Sequence, residues 1–227
     1  MASIQASLLT FLSELAENNN REWFDEQKLR YKKEEALFKD FGNTVLEELQ
    51  KVDRIEKMKV YRIYKDVRFS KDKTPYKTNR TLSFIRDGEE LRGSYYLHIA
   101  PGNSYLGGGF FAPNPADLLR IRKEFEMDDQ EIRDIMNDKA FAKAFGNEFV
   151  PHDQVKTAPK GFSKDHPAID LLKNKSFFFQ QKFTDKQIQS DNFHKEVIKS
   201  FKLLRPFFDY MSDVLTTYLN GVSLLKD

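Results

Sequence analysis

Apolar positions in the first fifty residues recur at helical spacing. Ile4, Leu8, Phe11, Leu12 and Leu15 share one face, and Asn18-Asn19-Asn20 then interrupts the pattern. A second helix is predicted from Arg21, with Asn20 as its N-cap. It runs through Trp23, Phe24, Tyr31, Phe38, Phe41, Val45 and Leu49, with room for a break. Burial preference assigns these aromatics to the core. The period then falls to two. Tyr61, Ile63, Val67 and Phe69 alternate with Arg62, Asp66 and Arg68, which predicts a half-buried strand. Further strands are predicted over 81–85, 93–100 and 105–111, separated by turns at Asp87-Gly88 and Pro101-Gly102. Connections this short favour antiparallel neighbours.

Helices return after Pro113-Asn114-Pro115, where Asn114 can cap and Pro115 can take the first helical position. They are predicted over 116–125, 129–137 and 139–145, with Gly146 as a stop. Pro159-Lys160-Gly161 marks a loop, 167–173 a short helix and 176–183 a strand. The tail, 191–219, reads as helix with Phe193, Val197, Phe201 and Leu204 on one face, and Pro206 is expected to kink or split it. The pattern predicts an α+β fold, with a central, mainly antiparallel sheet over about residues 59–111 plus 176–183, packed by N-terminal and C-terminal helices. No repeat, low-complexity tract or linker interrupts it. One domain over 1–227 is expected, helical over 1–52, sheet-rich over 59–111 and mainly helical over 115–227.

Composition supports a large core. The chain has 227 residues, 40% of them hydrophobic, with 21 Phe. At this length roughly 70–75% of the unfolded surface can be buried without staples. Cysteine is absent, which excludes a disulfide framework, a thiolate zinc site and a cysteine nucleophile. The first helix carries Glu14 and Glu17, unlike a secretory signal, and no apolar run reaches the ~20 residues that span a bilayer. A soluble, cytoplasmic protein without a membrane partner is expected.

The formal charge of +2 hides an uneven distribution. Between Lys59 and Thr81 eight basic residues (Lys59, Arg62, Lys65, Arg68, Lys71, Lys73, Lys77, Arg80) face only Asp66 and Asp72. That window carries +6 and the rest of the chain −4. On a strand, Arg62, Asp66 and Arg68 would project from one face, and each guanidinium would keep donors for a phosphate or carboxylate. The segment from Phe69 to Lys77 reads as a loop in which Lys73 adds charge and Tyr76 can stack or donate. The plainer reading is an ion-paired, solvated sheet surface.

The stretch Arg62-Ile-Tyr-Lys65-Asp66-Val-Arg68-Phe69-Ser-Lys-Asp-Lys73-Thr-Pro-Tyr76 resembles the signature of an uncharacterised family, domain of unknown function 2461. That family is widespread in bacteria and present in some fungi. Its pattern is Arg-x-x-Arg-Asp-x-Arg-Phe followed by Lys and Tyr. Three further regions resemble it: Asn19-Asn20-Arg21-Glu22-Trp23-Phe24; Tyr96-Leu97-His98-Ile99 with Gly107-Gly108-Gly109; and Pro159-Lys160-Gly161 with Asp165-His166-Pro167. Lys65 stands where the family has Arg, which keeps the charge and loses the planar fork. The resemblance implies that the central motif is functional and names no activity or cofactor.

Other signals are weaker. His98, His152, His166 and His194 form no paired metal motif, so no metal site is assigned. Alternation places His98 with Tyr96, opposite Tyr95, Leu97 and Ile99, where it could serve as a general base if that face adjoins the basic row. Its plainer reading is a satisfied histidine. Asp165 or His166 is expected to open the short helix after it. The three glycines suit close backbone packing better than a phosphate cradle, since no phosphate-loop spacing is present.

Three functions remain open. The first is binding, with or without catalysis, of a phosphorylated or other anionic small molecule by Arg62, Arg68, Lys73 and Tyr76, with His98 and Asp66 as the acid–base groups. The second is a non-catalytic module docking an acidic protein through the basic face. The third is nucleic-acid binding, disfavoured by a pI of about 8.5 and an acidic remainder. They rank in that order because an Arg-Asp-Arg row on a strand is more rigid than docking requires. Cofactor and oligomeric state are left open.

Overall fold

The computed structural model describes residues 3–151 and 153–225, so His152 lies outside the described residues. The fold is α+β. Five strands form one antiparallel sheet in the order β1 (Ile55–Val60), β2 (Arg80–Arg86), β3 (Ser94–Ile99), β4 (Ser104–Phe110), β5 (Phe177–Phe183). Helices α1 (Ala6–Glu17), α2 (Arg21–Glu26) and α3 (Lys28–Leu49) precede it, and α4 (Pro115–Met127), α5 (Gln130–Asn137), α6 (Lys139–Phe145) and α7 (Ile169–Leu172) lie between β4 and β5. The chain ends with α8 (Asp185–Ile188) and α9 (Phe193–Thr216). None of the described helices is long and apolar enough to cross a membrane.

The chain divides into two compact units. The first takes the chain as far as Ile85, with Tyr96–Leu106 and Lys182–Lys199; the second takes Arg86–Tyr95, Gly107–Gln181 and the chain from Ser200.

In the first unit, Asn20 caps α2 by accepting from the Trp23 amide at 2.9 Å. The helix stops at Glu26 and α3 starts at Lys28, with Gln27 between them, which is the break that the pattern allows. Phe11 of α1 meets the rings of Trp23, Phe24 and Tyr31. Further along α3, Phe38, Phe41, Val45 and Leu49 are buried, and Phe41 stacks on Phe193 at 5.7 Å.

In the second unit, Phe201 and Phe208 of α9 hold Tyr95 at ring distances of 4.8 and 4.7 Å. Gly107 and Gly109 stand where β4 meets β5: an added Cβ would lie 2.1 Å from the carbonyl oxygens of Phe179 and Phe177 respectively. Gly109 also has φ +147, which an L side chain rarely adopts. Close backbone approach accounts for these glycines. Asn114 accepts from the amides of Ala116 and Asp117, with Pro115 at the first helical position. His166 Nδ1 accepts from the Ala168 amide at 3.1 Å, so this histidine helps to open the short helix.

Two expectations are revised. Of the kink or split expected at Pro206, the split does not occur, since α9 runs from Phe193 to Thr216 with the proline inside. A proline in a helix interior costs about 3 kcal/mol, and the flanking Phe201, Leu204, Phe207, Phe208 and Met211, all 0% exposed, outweigh it by burial. The second correction concerns the predicted strand over 61–69. β1 ends at Val60, and the next residues form the arm of an irregular hairpin. Tyr61 N donates to Thr81 O, Lys77 N to Ile63 O and Lys65 N to Pro75 O, while Tyr64 and Tyr76 make an isolated antiparallel bridge. The opposite residue thus slips from 81 at Tyr61 to 77 at Ile63, and this offset breaks the ladder. Beyond Lys65 local side-chain bonds take over: Asp66 accepts from Arg68 N, Ser70 from Asp72 N, and Asp72 from Thr74 N. Such turns compete with strand pairing. Arg62, Asp66 and Arg68 therefore share no strand face.

Candidate functional site

The signature hairpin is anchored to α2, within the first unit. Asn19 Nδ2 donates to the Tyr76 carbonyl and Asn19 Oδ1 accepts from the Tyr76 amide, both at 3.0 Å. Phe24 stacks on the Tyr76 ring at 3.9 Å with 15° between planes. Tyr76 is 4% exposed, so its ring belongs to the core and its face is already covered. The motif halves around Asn19 and Tyr76 thus lock together. Arg21, Glu22, Lys71, Asp72, Lys73 and Thr74 line an open groove of about 660 Å³ beside this anchor.

The cations of the hairpin fall into two groups. Arg68 grips Asp66 through Nε and Nη2 at 2.9 and 2.7 Å. This bond, ahead of a backbone bond from Arg68 and the more distant Arg62, holds the exposed Asp66 carboxyl below the usual range. Lys65 donates to Asp72 at 2.7 Å and to Thr74 at 2.5 Å. Lys73 reaches the Val67 carbonyl at 3.0 Å. These side chains stabilise the tip of the hairpin.

The second group is Lys59, Arg62, Lys71 and Lys77. Among the described residues none of these has a carboxylate within ion-pair distance. Lys59 Nζ lies 4.9 Å and Lys77 Nζ 5.8 Å from the centre of the Tyr61 ring. Burial, then repulsion from Arg80 and Arg62, lowers the pKa of Lys77. Arg80 itself is 1% exposed, and its Nη2 sits 2.6 Å from Glu35 Oε2. That contact lacks hydrogen-bond alignment, and the Nε of Arg80 meets no acceptor among the described residues. Tyr31 donates to the same Glu35 carboxylate, and its pKa is raised first by burial.

His98 occupies a neighbouring part of the sheet. As alternation predicts, it is half-buried with Tyr96, while Tyr95, Leu97 and Ile99 are buried on the opposite face. Its ring stacks on Tyr105 at 4.6 Å and its Nδ1 lies 3.4 Å from Thr81 Oγ1. Burial pushes its pKa down to about 4, so the imidazole is neutral near pH 7. Tyr105 is pushed up to about 12 by burial and by Tyr96. Tyr96 approaches Tyr61 at 6.1 Å, which joins the His98 cluster to the ring that Lys59 and Lys77 face.

The fold brings Asp66 and Arg68 into contact and sets Arg62 close enough to influence Asp66. It places Tyr76 in the core and Lys73 on a backbone carbonyl. The residue that sequence reasoning passed over is Lys77. One signal was present: from Lys73 to Arg86 the chain has four basic residues and no acidic one. Among the described residues no three His, Asp or Glu side chains gather as a metal site.

No curated protein and no solved structure matches this chain. A family model described as a conserved hypothetical protein (DUF2461) matches residues 7–210. That span takes in the Asn19 segment, the signature hairpin, His98 and the glycine run, and the chain belongs to the DUF2461 family.

Proposed function

We propose that the first unit binds a phosphorylated or other anionic small molecule in the cytoplasm, and that Arg62 and Lys77 are its principal charges. The observation that carries this reading is that the charges of Arg80 and Arg62 both act on the partly buried Lys77 ammonium, and that of the three only Arg80 has a carboxylate partner among the described residues. An ammonium desolvated beside two guanidiniums gains most from an incoming anion. Arg62 supplies the planar fork for a phosphate or carboxylate. Neutral His98 and the phenols of Tyr96 and Tyr105 supply hydrogen-bonding groups and a base next to the Tyr61 ring.

A thermal-shift panel of nucleotides, sugar phosphates, pyrophosphate and short RNA and DNA tests this reading. A ligand at ~100 times its dissociation constant adds about 2.7 kcal/mol of stability, or roughly 5–10 °C in Tm for a chain of this size. The expected result is a shift with one small-anion class that disappears in Lys77→Met. No shift with any small anion contradicts it.

A second reading, docking of an acidic protein partner, is favoured by Phe69. This ring is 96% exposed at the hairpin tip, with the Arg68 guanidinium 6.0 Å from its centre. An exposed aromatic beside an arginine is a common anchor at interfaces. A partner that co-purifies with the native chain and is lost with Phe69→Ser would support docking, whereas retention would exclude Phe69 as the anchor.

A further inference from the structure

An antiparallel sheet with one buried face ordinarily turns polar side chains outward on the other. In the first unit that outward face carries a row of rings instead. Tyr96 and His98 lie on the face of β3 opposite the buried Tyr95, Leu97 and Ile99, Tyr105 stands beside them on β4, and Tyr61 follows the end of β1. The rings touch in sequence. Tyr61 meets Tyr96 at 6.1 Å, Tyr96 stacks on Tyr105 at 6.1 Å, and Tyr105 stacks on His98 at 4.6 Å with 14° between planes. All four are half-buried, and among the described residues His98 and Tyr105 have no ring partner outside the row. His98 Nδ1 lies 3.4 Å from Thr81 Oγ1, while its Nε2 makes no hydrogen bond among the described residues. Positive charge stands at the Tyr61 end. Lys59 Nζ and Lys77 Nζ lie 4.9 and 5.8 Å from the centre of that ring, and neither has a carboxylate partner among the described residues. Lys71, equally without a carboxylate, faces none of these rings.

Aromatic rings beside ammonium groups are the combination that takes a base by its flat face and its phosphate by charge. We propose that the anionic ligand of the first unit is a nucleotide, its base stacked against the row Tyr61–Tyr96–Tyr105–His98 and its phosphate met by Lys59 together with Lys77. A sugar phosphate satisfies the lysines and leaves the rings unused. A base uses both, and His98 Nε2 offers its edge a hydrogen bond. Stacking accepts any base, because each has a π face. This inference rests on the anion-binding reading and narrows it from small anions in general to those that carry a nucleobase. A free nucleotide and a single strand share that chemistry, and the test separates them.

The test titrates the full chain with adenosine 5′-monophosphate, ribose 5-phosphate and hexaadenylate at one salt concentration. The mononucleotide is expected to bind about tenfold more tightly than ribose 5-phosphate, the gain from stacking one base. Tyr105→Leu should remove that advantage and change ribose 5-phosphate affinity by less than about twofold, whereas Tyr105→Phe keeps the ring and the advantage. Lys59→Met should weaken both ligands by a similar factor. Proton spectra of the native chain with the mononucleotide read the stack without any variant: upfield ring-current shifts of the adenine H2 and H8 signals are expected. Equal affinity for the mononucleotide and ribose 5-phosphate, or adenine signals that do not move at saturation, overturns the nucleobase while the anion-binding reading survives. Binding of neither phosphate overturns both. Hexaadenylate bound more than about tenfold better than the mononucleotide supports the stacking row and identifies the source as a strand; comparable or weaker binding supports it and identifies a free nucleotide.

Discussion

The side-chain amide of Asn19 pairs with both backbone groups of Tyr76, donating to its carbonyl and accepting from its amide at 3.0 Å each. A residue just ahead of the α2 cap thereby fixes the returning arm of the signature hairpin, 57 positions away in sequence. The next residue along that arm is Lys77, so the pairing sets where its ammonium stands. Asn19→Ala should cost about 1–3 kcal/mol, the range for leaving partly buried backbone groups unpaired. Urea unfolding measures this, and a loss below about 0.5 kcal/mol would mean that the hairpin holds its place without Asn19.

Arg80 is buried with Glu35 as its counter-charge. Glu35→Leu strands a buried guanidinium and is expected to cost about 3–5 kcal/mol. Adding Arg80→Met should recover most of that loss, because an apolar pair replaces an ion pair without a stranded charge. A double-mutant cycle in urea gives the coupling. Additive losses would show that the pair does not act as a unit.

His98 makes stability depend on pH with a defined sign. An unfolded imidazole takes up a proton below about 6.5, whereas the folded one stays neutral down to about 4. Between those values the unfolded state binds more protons, so stability rises with pH and falls as the solution is acidified. Allowing for the water that reaches this half-buried ring, the contribution is about 1–2 kcal/mol. His98→Asn should flatten this part of the profile. An NMR titration of the imidazole with a midpoint near 6.5 would contradict it.

Strands β2 to β5 and helix α9 each carry residues of both compact units. Elements that belong to two units tie their unfolding together, and one domain is the corresponding proposal. Calorimetry is expected to show a single transition whose calorimetric and van't Hoff enthalpies agree. Two resolved transitions would make the units independent.

The strands from 80 to 110 and the helices around 116–145 were legible because alternation, caps and turn residues lie within a few positions of one another. Asn20, Asn114 and Gly146 each mark a helix end that the fold uses. β1 was not legible. Ile55, Met58 and Val60 give it a weaker alternation than the Tyr61–Phe69 segment that follows, and the stronger signal belongs to a hairpin arm and tip. Tyr76 reads as a ligand-stacking residue in sequence because its covering ring, Phe24, is remote in the chain. Likewise the partners of Arg68 and Lys65 depend on local turns that periodicity does not report. Once those partners are assigned, Lys59, Arg62, Lys71 and Lys77 are the hairpin cations left without a carboxylate among the described residues, and of these Lys77 is the one whose ammonium is partly buried under the charges of Arg80 and Arg62.

The central claim is that anion affinity resides with Arg62 and Lys77 and not with the ion-paired Arg68. Isothermal titration of the most stabilising small anion, at one fixed salt concentration, tests it most directly. Arg62→Ala and Lys77→Met should each weaken binding by about tenfold or more, a loss of ~1.4 kcal/mol, while Arg68→Ala changes it by less than about twofold. An equal loss in all three would contradict the account and return the site to the hairpin tip.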